Sequence, residues 1–379
     1  MRMYYICLPK LTAMRKFLIL FFVLSFFSES FSQNKIISIS PLINQQDAFN
    51  KSIINTLGDF LETKDPKYWL RSDLEKYTSP YSELSDIEAG KYGANFYKPS
   101  LMEIIATDEP NRKIVKIAFI GYHPEDKTNI IKAIYNVVAN KVGNQVYFSK
   151  YLDLIIKNWK TVQRNNIKYY ISPAKTINEE EVEKQHQDII KISEFFDIEP
   201  FQITYYSTIS PKELFELKGF EYHPMMYVDR SGGFAIGKDI ILSANNSEYY
   251  THEAVHLYTT KLFPNIDPYL DEGIATYFGG SGKFDFEWQK GKLKQFLTQN
   301  PDFKIEDHLD PYERIYFENE TPILYILAGS ICERTIRIYG KKKLFNIFKS
   351  KKDLVKILEE VGLSRSNINQ ELRKELGLK

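Results

Sequence analysis

Between Ser247 and Gly280 the chain reads SEYYTHEAVHLYTTKLFPNIDPYLDEGIATYFGG, and this stretch limits the possible folds more than any other. His252 and His256 are four residues apart, so on a helix they lie one above the other on the same face. Both imidazoles can then reach one metal ion at about 2.0–2.1 Å, the zinc–nitrogen distance. Glu253, beside the first histidine, is placed to reach a water at that ion. Asn246 or Ser247 is the expected helix cap, with Glu248 in the first turn, Lys261 near the end and Pro264 as the stop. Pro268 opens a second helix that carries Glu272 and ends at Gly279 or Gly280. A five-residue HExxH string also arises by chance. An acid one helical hairpin downstream makes it a site, because Glu272 completes a two-histidine, one-glutamate set that leaves a fourth position of a zinc ion open.

HEAVH followed by LDEGIATYFGG resembles the gluzincin zinc metallopeptidases, in particular the peptidase MA-like domains related to aminopeptidase N. The resemblance implies that His252, His256 and Glu272 are the metal ligands, that one Zn2+ is the cofactor, and that Glu253 is the general base. It implies a zincin-type α+β fold, in which a small mixed sheet precedes a helical metal-binding subdomain. The gap between His256 and Glu272 is shorter than in the best-known gluzincins, which favours the compact MA-like branch. The Gly and His that a metzincin carries after its motif are absent. Further on, TPILYILAGSICERTIRIYG is similar to the family's downstream helix, which assigns Tyr325 as the oxyanion donor, although its glycine stands one residue further away than in aminopeptidase N-type enzymes. The acidic Gly-x-Met-Glu-Asn segment with which aminopeptidases hold a free amine does not occur, which tilts the expectation toward an endopeptidase or a specialised peptidase.

Residues 14–32 combine a basic start, an apolar run from Phe17 to Phe27 and small Ser30 and Ser32, the pattern of a signal peptide. The apolar run is short for a membrane span. Residues 1–13 then read as a misassigned start, with Met14 as the alternative to Met1. The expectation is an exported protein, periplasmic or extracellular, without a stable membrane span once the segment is removed. Cys7 lies upstream of the run, so Cys332 is the one cysteine of the mature chain and no internal disulfide forms. The 50 basic and 49 acidic residues nearly balance, so charge gives no reason to expect nucleic acid as a partner. With 43% hydrophobic residues, the chain is long enough for a sizeable core and two domains.

The first domain is expected over 33–164. Apolar residues at Phe49, Ile53, Leu57, Phe60 and Leu61 give a helix over Ala48–Thr63. Strands are expected at Leu101–Thr107, Lys113–Ile120, Gln145–Tyr151 and Ile155–Val162, with Asn129–Ala139 open between helix and strand. Helices followed by a run of strands indicate one α+β unit. Its layout is similar to the nuclear-transport-factor-two-like cone, a curved sheet wrapped around helices that often serves as an accessory domain.

The metal-binding domain is expected over 165–379. Strands at Ile167–Ile171, Phe201–Ser207 and Met225–Asp229 alternate with helices at Glu179–Phe196 and Ser210–Leu217. Gly237-Lys238-Asp239 reads as a turn, and either Phe234–Ile236 or Ile240–Ser243 is a candidate edge strand for pairing with a substrate backbone. Helices follow at Asp285–Gln299, Thr321–Tyr339, Leu344–Lys349, Leu354–Val361 and Ile368–Leu376. Asp271 and Thr276 are placed to support the ligands. His123 and His186 read as surface residues, and His223 and His308 can each line the cleft. The functional expectation is hydrolysis of a peptide or protein substrate. The alternatives are a zinc-binding module used for protein binding or scaffolding, and hydrolysis of a non-peptide bond.

Overall fold

Asp47 accepts a hydrogen bond from the backbone N–H of Asn50 and so caps helix α1 (Ala48–Thr63). The computed structural model describes residues 37–378 except 78–81, 85–86, 88–91, 94, 229–231, 283, 311, 314 and 318–320. The expected export segment and both possible start residues lie outside the described residues. Phe49, Ile53, Leu57, Phe60 and Leu61 are buried, as their helical spacing predicts. They pack on a sheet built from β1 (Ser38–Ile39), β2 (Lys98–Ala106), β3 (Arg112–His123), β4 (Thr128–Val142) and β5 (Gln145–Lys150), in that spatial order. β1 runs parallel to β2, and the other neighbours are antiparallel. The ambiguous segment Asn129–Ala139 is therefore strand. Irregular registers at Leu101/Glu103 and Phe119/Ile120 bend the sheet.

The second sheet has the order β10–β11–β8–β7–β6, from β6 (Lys160–Arg164), β7 (Ile167–Ile171), β8 (Ile203–Ser207), β10 (Gly233–Ile236) and β11 (Ile240–Ser243). Its inner strands are parallel and both edges antiparallel. Alternate residues leave a strand on opposite faces. Ile167, Tyr169, Ile171, Ile203, Tyr205 and Ile241 enter the core shared with the C-terminal helices. Tyr206, Ile240 and Leu242 enter the core of the first sheet instead. The second sheet is thus covered on both faces.

Asn165, the expected start of the second domain, is the left-handed residue (φ 48) in the turn joining the hairpin partners β6 and β7. The expected strand over Ile155–Val162 opens with helical turns at Leu152–Ile155 and Ile156–Asn158, because Leu152, Ile155 and Ile156 turn inward at helical spacing. Helix α3 (Pro211–Leu217) gives Leu214, Phe215 and Leu217 to the first core. The strand after it, β9 (Phe220–Tyr222), pairs with β4 of the first sheet at Ile134 and Tyr135. Of Met225–Asp229, expected as a strand, Asp229 lies outside the described residues, and Pro224–Tyr227 forms a 3-10 turn, since Pro224 opens it and the His223 ring accepts from Met225 N–H.

Helix α2 (Glu179–Phe196) crosses between β7 and β8. From Thr251 onward helices dominate, α4 (Thr251–Leu262), α5 (Pro268–Gly279), α6 (Phe286–Gln299), α7 (Ile323–Tyr339), α8 (Lys341–Phe348), α9 (Leu354–Glu359) and α10 (Ile368–Glu375), with a short antiparallel pair, Tyr316–Phe317 and Thr321–Pro322, before α7. Cys332 is buried and free. No helix among the described residues is long and apolar enough to cross a membrane. The chain is a mixed α+β protein with two mixed sheets.

Candidate metal centre

Helix α4 begins later than expected. Its cap position is Tyr250, with no side-chain cap, and Asn246 and Ser247 lie outside it. Asn246 is left-handed (φ 53), and Ser247 Oγ accepts from Tyr249 N–H in a local turn instead. Glu248, expected in the first turn, is fully buried upstream of the helix.

His252 and His256 nevertheless share one face of α4, and α5 brings Glu272 against them. His252 Nε2 lies 3.2 Å from Glu272 Oε2 and 3.2 Å from His256 Nε2, and His256 Nε2 lies 3.6 Å from Glu272 Oε2. Ligand atoms at tetrahedral angles around an ion with 2.0–2.2 Å bonds are about 3.3–3.6 Å apart. The triangle already has that size.

The outer ring nitrogens fix which atoms face inward. His252 Nδ1 is 2.7 Å from the carbonyl of Gly280, and a carbonyl only accepts, so Nδ1 carries the proton. His256 Nδ1 lies 3.2 Å from Asp271 Oδ2, and Asp271 Oδ1 accepts a 2.6 Å bond from the Thr259 hydroxyl. Both Nε2 lone pairs therefore converge with a carboxylate oxygen. Three acceptors at this separation have no donor between them unless a proton or a cation enters. Without a metal, the arrangement favours a proton in that place. Burial disfavours a charged His256, but Asp271 and Glu272 outweigh it and hold its pKa well above the ordinary histidine value. Burial also pushes Glu272 up, and the two histidines more than offset this, leaving it well below the usual carboxylate range. A divalent cation in this pocket would replace that proton with a charge matched to all three donors.

Small residues set the helix spacing. A Cβ on Gly279 would overlap the backbone of His252, and one on Gly273 would lie 2.7 Å from the carbonyl carbon and oxygen of Ala328, so α4 and α7 both approach α5 closely. Gly280 is at φ 66, and a Cβ there would overlap the Phe284 carbonyl, so its orienting carbonyl depends on glycine.

This approach brings Tyr325 of α7 to the site. Its ring is nearly parallel to that of His252, at 13° and a centroid distance of 6.0 Å. Glu253 is buried beside the same ligands. Burial raises the phenols of both Tyr250 and Tyr325, and the charges of Glu253 and Glu272 raise them further, which keeps both protonated as donors. Asp271 stands behind the His256 ring. Thr276 is buried one turn beyond Glu272, but its hydroxyl has no hydrogen-bond partner among the described residues.

The remaining histidines stay outside the triad. His308 Nδ1 donates to the Glu313 carboxylate at 2.9 Å and its ring stacks on Phe303, while His223 is buried against Phe215 in the other core. His123 faces Asp126, and His186 is half-buried on α2.

β10 is the edge strand next to α4, whereas β11, the other candidate, is interior. Ala244 N–H bonds to Gly232 O, so in this register the N–H and C=O groups of Gly233 and Ala235 turn toward the open edge. The Gly280 carbonyl and Tyr250 were not singled out from sequence as parts of the site. The glycine pair ending α5 was the available signal for the first. Compared with known proteins, the chain matches no family model, no curated protein and no solved structure.

Proposed function

We propose that the chain is an exported zinc-dependent peptidase of the gluzincin type, with His252, His256 and Glu272 holding one zinc ion. The observation that carries this reading is the convergence of three lone pairs at 3.2–3.6 Å, with both histidines oriented from behind. When bound, zinc supplies Lewis-acid chemistry, lowering the pKa of coordinated water to about 7 and polarising a carbonyl. Glu253 takes the proton from the attacking water and passes it to the leaving amine. The Tyr325 hydroxyl, held neutral by its buried, acidic surroundings, donates to the oxyanion. The open edge of β10 aligns an extended peptide by backbone pairing. In this reading the second sheet and α4–α5 form a zincin-type unit, and the first sheet with α1 is a cone-like accessory unit.

The test is mass-spectrometric mapping of peptide-library products from the purified mature protein with zinc, beside Glu253→Gln. The amide matches the carboxylate in shape but accepts no proton, so cleavage should fall by about 10²–10⁴-fold with zinc retained. Zinc binding with no cleavage by the wild type would leave the binding-module reading instead.

A further inference from the structure

Helix α4 has no side-chain cap of its own, and the residues leading into it are held from outside by one face of α2. Glu181 Oε2 accepts from the backbone N–H of Glu248 at 2.9 Å, and Gln185 Oε1 from that of Tyr250 at 2.6 Å. Asp188 Oδ2 accepts from the hydroxyls of Tyr249 and Thr251, each at 2.9 Å. Residues 181, 185 and 188 lie on one helical face, so a single stripe grips four consecutive residues, 248–251. The far end of the grip is anchored as well. The buried Glu248 carboxylate accepts from Lys175 and Ser207 at 2.8 Å and from Asn178 N–H at 2.9 Å.

Packing alone does not require this stripe. Val182, Ile189 and Ile192 already bury α2 in the core. Gln185 is fully buried, yet its amide nitrogen has no partner among the described residues, an arrangement that costs stability relative to an apolar side chain. Its carbonyl does one thing, which is to fix Tyr250, two residues before His252.

We infer that Gln185 and Asp188 are positioning residues of the metal centre: they set the axial position and rotation of the first turn of α4, and thereby where His252 Nε2 and the Glu253 carboxylate stand. This inference rests on the zinc reading. It assigns part of the site's precision to a helix that supplies no ligand.

The test measures zinc affinity of the metal-free mature protein by competition with a chromophoric chelator, and the visible spectrum after cobalt(II) substitution. Gln185→Leu and Asp188→Ala should weaken zinc binding by about 10–100-fold, the order of effect known for losses in the shell behind a metal's ligands, and should alter the cobalt spectrum. Asp188→Asn keeps an acceptor oxygen and should bind as wild type does. Ile192→Val, a core change on the same helix, should lower Tm and leave affinity and spectrum unchanged. Wild-type affinity and spectra in Gln185→Leu and Asp188→Ala would overturn the inference alone, as would equal weakening by Ile192→Val. If Gln185→Leu does not fold, the Asp188→Ala and Asp188→Asn pair decides. A wild type that binds no zinc overturns the metal reading and this inference with it.

Discussion

Two buried polar clusters in this molecule solve the same problem differently. In the first core, Glu83 sits between Lys150 and Lys218 at 2.8 and 2.9 Å, and all three side chains are nearly excluded from solvent. Burial pushes the Glu83 carboxyl up, but the two lysines hold it below the ordinary range. Charge is answered by charge, and the cluster ties the turn at Ser82–Leu84 to β5 and to the end of α3. At the candidate metal centre the inward atoms are all acceptors, two imidazole nitrogens and a carboxylate oxygen. Acids answer the imidazoles only from behind, at Asp271, or share the pocket, at Glu272. A closed ion cluster satisfies its own charges; an open one leaves room for a cation. The difference lies in which atoms face one another, and it is visible in hydrogen-bond direction before any ion is considered.

Breaking the closed cluster should cost the most in stability. Glu83→Gln leaves two lysines buried without a counter-charge, so chemical denaturation should show a loss of about 3–5 kcal/mol, while zinc affinity of the folded fraction stays at the wild-type value. A loss of zinc without a loss of stability would mean the two clusters are not separable in this way.

Tyr325→Phe sharpens the open side. It removes a donor needed mainly in the transition state, so turnover should fall by about 10²–10³-fold with KM and zinc content little changed. Normal turnover in Tyr325→Phe and slow turnover in Tyr312→Phe would move the oxyanion role to Tyr312, whose phenol, raised mainly by burial, also feels Glu272, Asp271 and His256.

The smallest expected effect is in pH dependence. In the metal-free protein the pKa of His256 is raised above its ordinary 6.5, so its contribution is complete below that value and is lost as pH rises through the raised pKa. Glu272 is lowered from its ordinary 4.5, so its contribution is present above 4.5 and is lost as pH falls through the lowered pKa. Between those two ordinary values the site stabilises the metal-free chain most. Zinc requires deprotonated ligands, so its stabilisation runs the other way and grows with pH. Thermal melts with chelator and with zinc should therefore diverge as pH rises from 6 to 9; parallel curves would contradict the protonated pocket.

The sequence exposed what is local. Helix α4 with its two histidines, the Pro268 start of α5, the helix at Glu179–Phe196 and the turn at Gly237 all follow from short-range spacing. What escaped it is set by long-range pairing. β9 joins a strand more than 80 residues earlier, which no pattern within Phe220–Tyr222 signals. Gln185 and Asp188 read as the polar face of an amphipathic helix, and only the fold turns them toward α4. The cap of that helix was misplaced for the same reason, since its leading residues are held from another element. Asp271 was legible because it stands next to a ligand, and the Gly280 carbonyl was not, because a backbone acceptor leaves no mark in the residue type.

In the zinc reading, one zinc ion completes the open triangle of His252, His256 and Glu272. The direct measurement is metal content by elemental analysis of the mature protein purified with zinc and freed of loosely bound ions. One zinc per chain in the wild type, lost in His256→Ala and in Glu272→Gln, is the predicted result. Substoichiometric zinc that is the same in all three proteins would contradict it.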